Sequence, residues 1–150
     1  MERRPLRLRT YDYSSTGLYF VTICAHLRVC VFGSVVEDSV CLSRIGEVAR
    51  DCLLAIPRHH GAATVDSWIV MPNHVHALIG LDDRNEVELG DVVGTFKAAV
   101  SRRARRRGVW QRGYYDHIVR DDRDLQRIRE YIATNPLRWD LDPENPNRMP

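Results

Sequence analysis

The apolar positions of this chain alternate between the period of a strand and the period of a helix. Residues 17–26 and 29–33 are rich in aromatic and β-branched side chains, which predicts two consecutive strands. Residues 64–81 predict a central strand in which Pro72 lies at a bulge or a break. Residues 109–119 predict a last strand or an extended loop.

Three further segments place apolar residues at helical spacing. The first covers residues 41–60, with Ser43 as a cap and Gly61 as the stop. The second covers 87–107 and ends at Gly108, and the third runs from Asp121 or Asp122 to about Asn135, before Pro136. Interleaved strands and helices predict an α+β fold, with one antiparallel sheet and helices packed on one face.

The length and composition are those of a single soluble domain. With 150 residues, the chain is long enough to bury a core, and we expect one domain over 1–139. Residues 140–150 carry three prolines and little apolar content, which predicts a loose tail. The absence of a membrane-length apolar run, of a secretion signal and of any C-x-x-C pair predicts a cytoplasmic protein with no membrane partner.

Two histidines separated by one apolar residue are the main chemical feature of the third strand. Successive strand residues point to opposite faces, so His74 and His76 share one face, while Met71, Val75 and Ile79 are expected on the other. Such a pair forms a bidentate imidazole site. The alternative is a pair of core histidines with satisfied hydrogen bonds.

The third helix supplies a second set of polar side chains. One stripe is apolar and is predicted to face the core: Leu125, Ile128 and Ile132. A neighbouring stripe consists of Arg127, Tyr131 and Asn135. Beside a two-histidine metal site, Tyr131 is a candidate nucleophile, because a metal can polarise a phosphate while an oxygen attacks it. Tyr114 and Tyr115 are its rivals.

Positive charge is unevenly distributed, although the net charge is only +2. One group of arginines lies near the N-terminus, and a second cluster follows Lys97 and contains Arg102, Arg103, Arg105, Arg106 and Arg107. The second cluster is predicted at a helix C-terminus, where cations complement the helix dipole. It is therefore either a solvated helix end or a surface that contacts phosphates.

Four segments together resemble the single-tyrosine HUH transposases, and within them the REP-associated tyrosine transposases. The segments are Met71-Pro72-Asn73-His74-Val75-His76, Val92-Val93-Gly94-Thr95-Phe96-Lys97, Trp110 to Arg120, and Tyr131-Ile132-Ala133-Thr134-Asn135-Pro136. They span most of residues 12–139. The combination of a His-x-His strand, a Trp-Gln-Arg segment and a Tyr-x-x-x-Asn-Pro helix end is more specific than any one of them.

The resemblance implies a ferredoxin-like HUH endonuclease core that cleaves single-stranded or hairpin DNA through a 5′-phosphotyrosine. On the matching positions Tyr131 is the nucleophile, and His74 and His76 bind Mg²⁺ or Mn²⁺. Asn135 is the third ligand, at a position where related insertion-sequence enzymes often carry Gln. The residues expected to contact DNA are Lys97, Arg102, Arg103, Arg105, Arg106, Arg112 and Arg120. The expected assembly is a monomer or a homodimer.

Two other functions use similar residues. A histidine-triad nucleotide hydrolase also carries alternating histidines on a strand, but here the next alternate position is Leu78. The second is a transposase-derived protein that binds DNA without cleaving it. The sequence does not identify the base that removes the tyrosine proton.

Overall fold

The structure is a computed structural model that describes residues 16–82 and 87–147. In chain order its elements are β1 (Thr16–Cys24), a 3₁₀ turn (His26–Arg28), β2 (Gly33–Val36), β3 (Ser39–Leu42), α1 (Arg44–Leu54), α2 (Ile56–His59), β4 (Ala63–Met71), β5 (His74–Asp82), α3 (Leu89–Ala104), β6 (Tyr115–Ile118), α4 (Asp122–Thr134) and a second 3₁₀ segment (Pro136–Leu141).

Four of the strands form one antiparallel sheet in the order β4-β5-β1-β6. Strands β1 and β5 pair along their whole length, from Thr16 opposite Asp82 to Cys24 opposite His74. The crossovers through α1 and α3 give this sheet the ferredoxin-like connectivity. The predicted α+β class and antiparallel sheet are confirmed, and β2 and β3 add a separate hairpin.

The two faces of the sheet carry different helices. Val75, Ala77 and Ile79 of β5 pack into the larger core cluster together with residues of α1 and α3. On the other face, α4 places the apolar stripe Leu125, Ile128 and Ile132 against Leu18 and Leu78, as the periodicity predicted. The expectation of helices on one face therefore holds for α1 and α3, while α4 covers the second face.

The predicted central strand over 64–81 is two strands joined by a two-residue turn at Pro72 and Asn73. The turn is held by its carbonyl groups, since Pro72 O accepts from Phe32 N at 2.9 Å and Asn73 O accepts from Ala25 N at 2.8 Å. Met71 pairs with His74 across the turn, so it shares the face of His74. The prediction that Met71 lies on the opposite face was wrong because the turn interrupts the alternation.

The second predicted strand is also displaced. Residues 29–32 are not in a strand, and the hairpin lies at 33–42, with Glu37 and Asp38 at φ values of 50° and 68° in its turn. The first predicted helix therefore begins later than Cys41. Ser43 caps α1 as expected, because its hydroxyl accepts a hydrogen bond from Gly46 N at 3.0 Å.

The second helix ends before the arginine cluster does. α3 stops at Ala104, and Arg105 adopts a left-handed conformation with φ of 55°. Arg106 and Arg107 follow in the connecting loop, so the helix predicted over 87–107 ends three residues earlier than expected. Within the described ranges, no helix is long and apolar enough to cross a membrane.

Candidate active site

Strand β5 places the two predicted histidines side by side on the face covered by α4. The residues are almost fully buried, with exposures of 1% for His74 and 5% for His76. Their ring centroids are 4.6 Å apart. The strand alternation therefore brings the two imidazoles together as the sequence predicted.

The proton positions on His74 follow from its neighbour Asn73. The Asn73 amide nitrogen donates to the carbonyl oxygens of Arg28 and Glu144, at 3.2 and 2.6 Å. Its Oδ1 is therefore an acceptor, and it lies 2.8 Å from His74 Nδ1. Because Nδ1 carries the hydrogen in this bond, Nε2 of His74 presents a free lone pair.

The second imidazole has a similar support. Nδ1 of His76 is hydrogen-bonded to the Thr22 hydroxyl at 3.0 Å, across the β1-β5 pair. Nε2 of both histidines is buried and has no hydrogen-bond partner. Partners on Nδ1 that orient the ring and leave Nε2 free are the usual surroundings of metal-binding histidines.

Helix α4 brings Tyr131 to the histidine pair. The Tyr131 ring centroid lies 5.4 Å from that of His76. The Phe20 ring packs against both, with its centroid 5.1 Å from that of His76 and 6.1 Å from that of Tyr131. The Arg138 guanidinium lies over the Tyr131 ring, 4.6 Å from its centroid. Tyr131 is thus held between an imidazole and a cation.

Asn135 lies one helical turn after Tyr131, at the C-terminal end of α4. Its residue is 1% exposed, and its Oδ1 is buried without a hydrogen-bond partner. Across residues 16–82 and 87–147 there is no group of three or more His, Cys, Asp or Glu placed to hold a metal. The candidate donors are therefore two imidazole nitrogens and one amide oxygen.

Burial sets the protonation of these groups. It lowers the pKa of His74 to about 4, against smaller opposing effects of Asp142 and Asn135. Burial and the neighbouring His74 also lower the pKa of His76 well below its ordinary value. Both imidazoles are consequently neutral at pH 7, the state that a metal ligand requires.

The pKa of the Tyr131 hydroxyl is raised, not lowered. Burial and the negative charge of Asp142 raise its pKa, while Asn135 and Arg138 lower it. The hydroxyl is therefore protonated at neutral pH, and a reaction that uses its oxygen as a nucleophile must remove that proton.

The C-terminal segment closes one side of the site, although a loose tail was predicted there. Asp142 and Asn145 are buried, with exposures of 6% and 7%. A cavity of about 180 Å³ is lined by Tyr131, Asn135, Arg138, Leu141, Asp142 and Pro143. Within 140–147, Glu144 O accepts a hydrogen bond from Asn73 Nδ2 at 2.6 Å and Asn145 Nδ2 donates to Trp139 O at 2.8 Å, whereas residues 140, 141, 143, 146 and 147 are exposed.

The rival tyrosines lie away from the histidines. Tyr114 packs against the cluster on the opposite face of the sheet. Tyr115 pairs with Thr22 and shares the face of His76, but it is two strands away and 59% exposed. His117 Nε2 is hydrogen-bonded to Asp124 Oδ2 at 2.8 Å, at the start of α4.

Lys97 is largely engaged inside the protein. Its ammonium donates to the carbonyl oxygens of Gln111 and Gly113, both at 2.9 Å, and Trp110 Nε1 donates to Lys97 O at 3.2 Å. These bonds hold the Trp-Gln-Arg segment against α3. A phosphate contact by Lys97 stays a prediction, and it would use the remaining hydrogen of the ammonium.

The other predicted DNA contacts are all exposed, and they lie on several elements. Arg102 and Arg103 end α3, Arg105 and Arg106 follow it, Arg112 is in the loop before β6, and Arg120 precedes α4. Arg103 also donates to Cys52 Sγ at 3.6 Å. The N-terminal arginines lie outside the described residues.

Sequence reasoning did not assign roles to three residues of the site. Asn73 and Thr22 orient the histidines, and Asp142 acts on both His74 and Tyr131. Asn73 stands directly before His74, which was a local signal. Thr22 and Asp142 are 54 and 68 positions from the histidines that they influence, and only the tertiary structure shows them.

The fold is shared with solved structures of transposases. The sequence profile described as "Transposase IS200 like" matches residues 30–135. The chain belongs to the IS200-like transposase family, and the resemblance drawn from the sequence is confirmed.

The chain is also similar to individual proteins. A Haemophilus influenzae protein without an assigned function is 33% identical, over 93% of this chain and 91% of its own length. A second H. influenzae protein, provisionally named a REP-associated tyrosine transposase, is 27% identical over 85% of this chain and 74% of its length. A solved structure of a REP-associated tyrosine transposase bound to a REP hairpin shares the fold, with a TM-score of 0.66, 19% identity, and coverage of 92% of this chain and 73% of that chain.

Proposed function

We propose that this protein cleaves and rejoins single-stranded DNA through a covalent 5′-phosphotyrosine on Tyr131. The observation that supports the proposal most directly is the position of Tyr131, whose ring lies 5.4 Å from that of His76. The rival Tyr115 is exposed and two strands away, and Tyr114 lies on the other face.

His74, His76 and Asn135 fit a divalent metal ion. Each contributes a buried lone-pair atom without a hydrogen-bond partner, namely two Nε2 atoms and one Oδ1. Unpaired buried polar atoms destabilise a fold, and three of them beside one tyrosine are typical of a binding site. Bound there, Mg²⁺ or Mn²⁺ would neutralise charge on the scissile phosphate and orient it.

Arg138 is the side chain beside Tyr131 that favours attack by its oxygen. Arg138, which lowers the pKa of Tyr131, also presents a cation to an incoming phosphate. The Tyr131 oxygen forms a bond to phosphorus, the bond from phosphorus to the 3′ oxygen breaks, and that oxygen leaves as a 3′ hydroxyl with a proton. Attack by a 3′ hydroxyl on the phosphotyrosine reverses the reaction and rejoins a strand without ATP.

Hairpin-forming repeats are the proposed target. Support comes from the related structure, in which a REP-associated tyrosine transposase holds a REP hairpin. The exposed arginines Arg102, Arg105, Arg106, Arg112 and Arg120, with Arg103, are the proposed backbone contacts. Contacts of this kind position DNA without reading its sequence.

The test is adduct formation on hairpin-bearing single-stranded DNA with Mg²⁺ or Mn²⁺, followed on a denaturing gel. We expect Tyr131→Phe to abolish cleavage and adduct while DNA affinity stays nearly unchanged, because only the attacking oxygen is removed. Tyr115→Phe is the matched control and should retain the adduct. DNA binding without any adduct in the wild type would instead indicate a transposase-derived binding protein.

A further inference from the structure

The candidate metal site proposed above contains only neutral donors. Two imidazoles and one amide supply no negative charge to a divalent cation, whereas Mg²⁺ and Mn²⁺ favour oxygen ligands that include carboxylates. Negative charge must then come from the DNA phosphate, from a carboxylate of this chain, or from both. The second source is visible in the C-terminal segment.

Asp142 has one oxygen fixed and one oxygen free. The residue is 6% exposed, and its Oδ1 accepts a hydrogen bond from Glu144 N at 2.8 Å. Its Oδ2 is buried and has no hydrogen-bond partner. Because a buried carboxylate oxygen without a partner is costly, this atom is well placed to accept a hydrogen bond from a ligand of the site.

Asp142 lies in the wall of the candidate site. Asp142 lines the same cavity as Tyr131 and Asn135. Asp142 therefore faces the same cavity as one candidate ligand and the candidate nucleophile.

The other charged groups of this region are already engaged. Glu144 forms an ion pair with Arg28, whose Nε lies 3.0 Å from Glu144 Oε1. Arg138 lines the cavity too, but it stacks on Tyr131 and donates to Tyr131 O and to Thr134 Oγ1, at 3.1 and 3.0 Å. Asp142 is the buried carboxylate in this cavity that no basic side chain neutralises among the described contacts.

We propose that Asp142 is a positioning residue that supplies negative charge to the divalent-ion site, with Oδ2 accepting a hydrogen bond from a water ligand of the ion. The inference rests on the proposed function. An outer position is assigned because His74, His76 and Asp142 do not form a direct metal-binding group within the described residues. Outer carboxylates of this kind strengthen metal binding without touching the metal.

The test measures Mn²⁺ binding directly, in the absence of DNA, from the electron paramagnetic resonance signal of free Mn²⁺. We expect Asp142→Asn to weaken Mn²⁺ binding by about 10- to 100-fold. The amide keeps an oxygen for the Glu144 N bond, so the segment retains its packing. Asp140→Asn removes an exposed carboxylate two positions earlier and should bind Mn²⁺ like the wild type.

Two further variants separate the possible failures. His74→Ala and His76→Ala should abolish Mn²⁺ binding, and if they bind normally the proposed metal site itself is wrong. If they lose binding while Asp142→Asn binds like the wild type, only the role of Asp142 is overturned. Glu144→Gln weakens the Arg28 ion pair without changing Asp142, and a loss equal to that of Asp142→Asn would assign the effect to packing and overturn the proposal.

Discussion

Alternate residues of β5 lie on the two faces of the main sheet. The residues on one face are apolar, whereas those on the other include two buried histidines. On the face of α1 and α3, β5 contributes Val75, Ala77 and Ile79 to a continuous apolar core. On the face of α4, the same strand contributes His74, His76 and Leu78, of which only Leu78 is in the apolar cluster. On the second face, the buried Nε2 atoms of His74 and His76 have no hydrogen-bond partner among the described residues.

The difference separates what stabilises this fold from what is available for chemistry. Burial of apolar side chains on the first face lowers the free energy of the folded state, at roughly 25 cal/mol per Å². Burial of the two imidazole Nε2 atoms without hydrogen-bond partners on the second face raises the free energy of the folded state. We therefore expect substitutions on the two faces to affect stability and activity in opposite proportions.

The largest expected effect is on the α4 face. His76→Leu should lower divalent-ion-dependent cleavage by at least about 10³-fold, since a metal ligand is lost. The free energy of unfolding should stay within about 1 kcal/mol of the wild type or increase, because an unpaired buried nitrogen is removed. Gel assays and urea unfolding measure the two quantities, and full cleavage in His76→Leu or in excess EDTA would contradict the metal site.

The matching change on the other face is Phe96→Ala. Phe96 is 2% exposed and packs against Trp110 with ring centroids 5.5 Å apart. The substitution should lower the free energy of unfolding by about 3 to 5 kcal/mol. Cleavage per folded molecule should change far less than in His76→Leu. Equal losses of cleavage in the two variants would show that the faces are not functionally distinct.

Acid should reveal the strain on the α4 face. The pKa of His74 is about 4 in the folded protein and about 6.5 in the unfolded chain. Between pH 6.5 and pH 4, the unfolded chain therefore binds a proton at His74 that the folded protein does not bind. Stability from this group is complete above pH 6.5 and is lost as pH falls towards 4, by about 3 kcal/mol. In urea titrations of the metal-free protein, His74→Leu should lack this pH-dependent part of the free energy of unfolding. Identical pH dependence in the variant and the wild type would contradict the assignment to His74.

The smallest expected effect concerns the arginines at and beyond the C-terminal end of α3. Arg102 and Arg106 are exposed, one on α3 and one beyond its end. If each contacts a phosphate, the double change Arg102→Gln with Arg106→Gln should reduce the slope of log affinity against log salt by about 1.4 for single-stranded DNA. Arg50→Gln, on α1, is the control. An unchanged slope would mean that these side chains only solvate the end of the helix.

Local patterns were sufficient for much of the site. The i, i+2 spacing placed His74 and His76 on one face, and the helical stripe placed Leu125, Ile128 and Ile132 towards the core. Ser43 and Asp121 begin their helices through hydrogen bonds to backbone nitrogens three residues later. Such features depend on neighbours within a few positions, so the sequence contains their cause.

Boundaries were less predictable where the pattern was ambiguous. The apolar run through residues 64–81 continues across the Pro72-Asn73 turn, because both strands of the hairpin are buried. The turn itself is held by contacts to Ala25 and Phe32, far away in the chain. The arginines after Ala104 are residues that favour helices, so the helix was predicted to continue through them. The backbone nevertheless leaves the helical conformation at Arg105.

By itself, the sequence determined the antiparallel α+β architecture, the shared face of the two histidines and the helical face of Tyr131 and Asn135, because strand and helix periods fix side-chain direction locally. Only the tertiary structure decided that α4 lies over the histidines, that Thr22 orients His76, and that Asp142 packs into the site. Those contacts join segments distant in sequence. Their formation depends on how the whole chain buries its apolar surface, which no local pattern records.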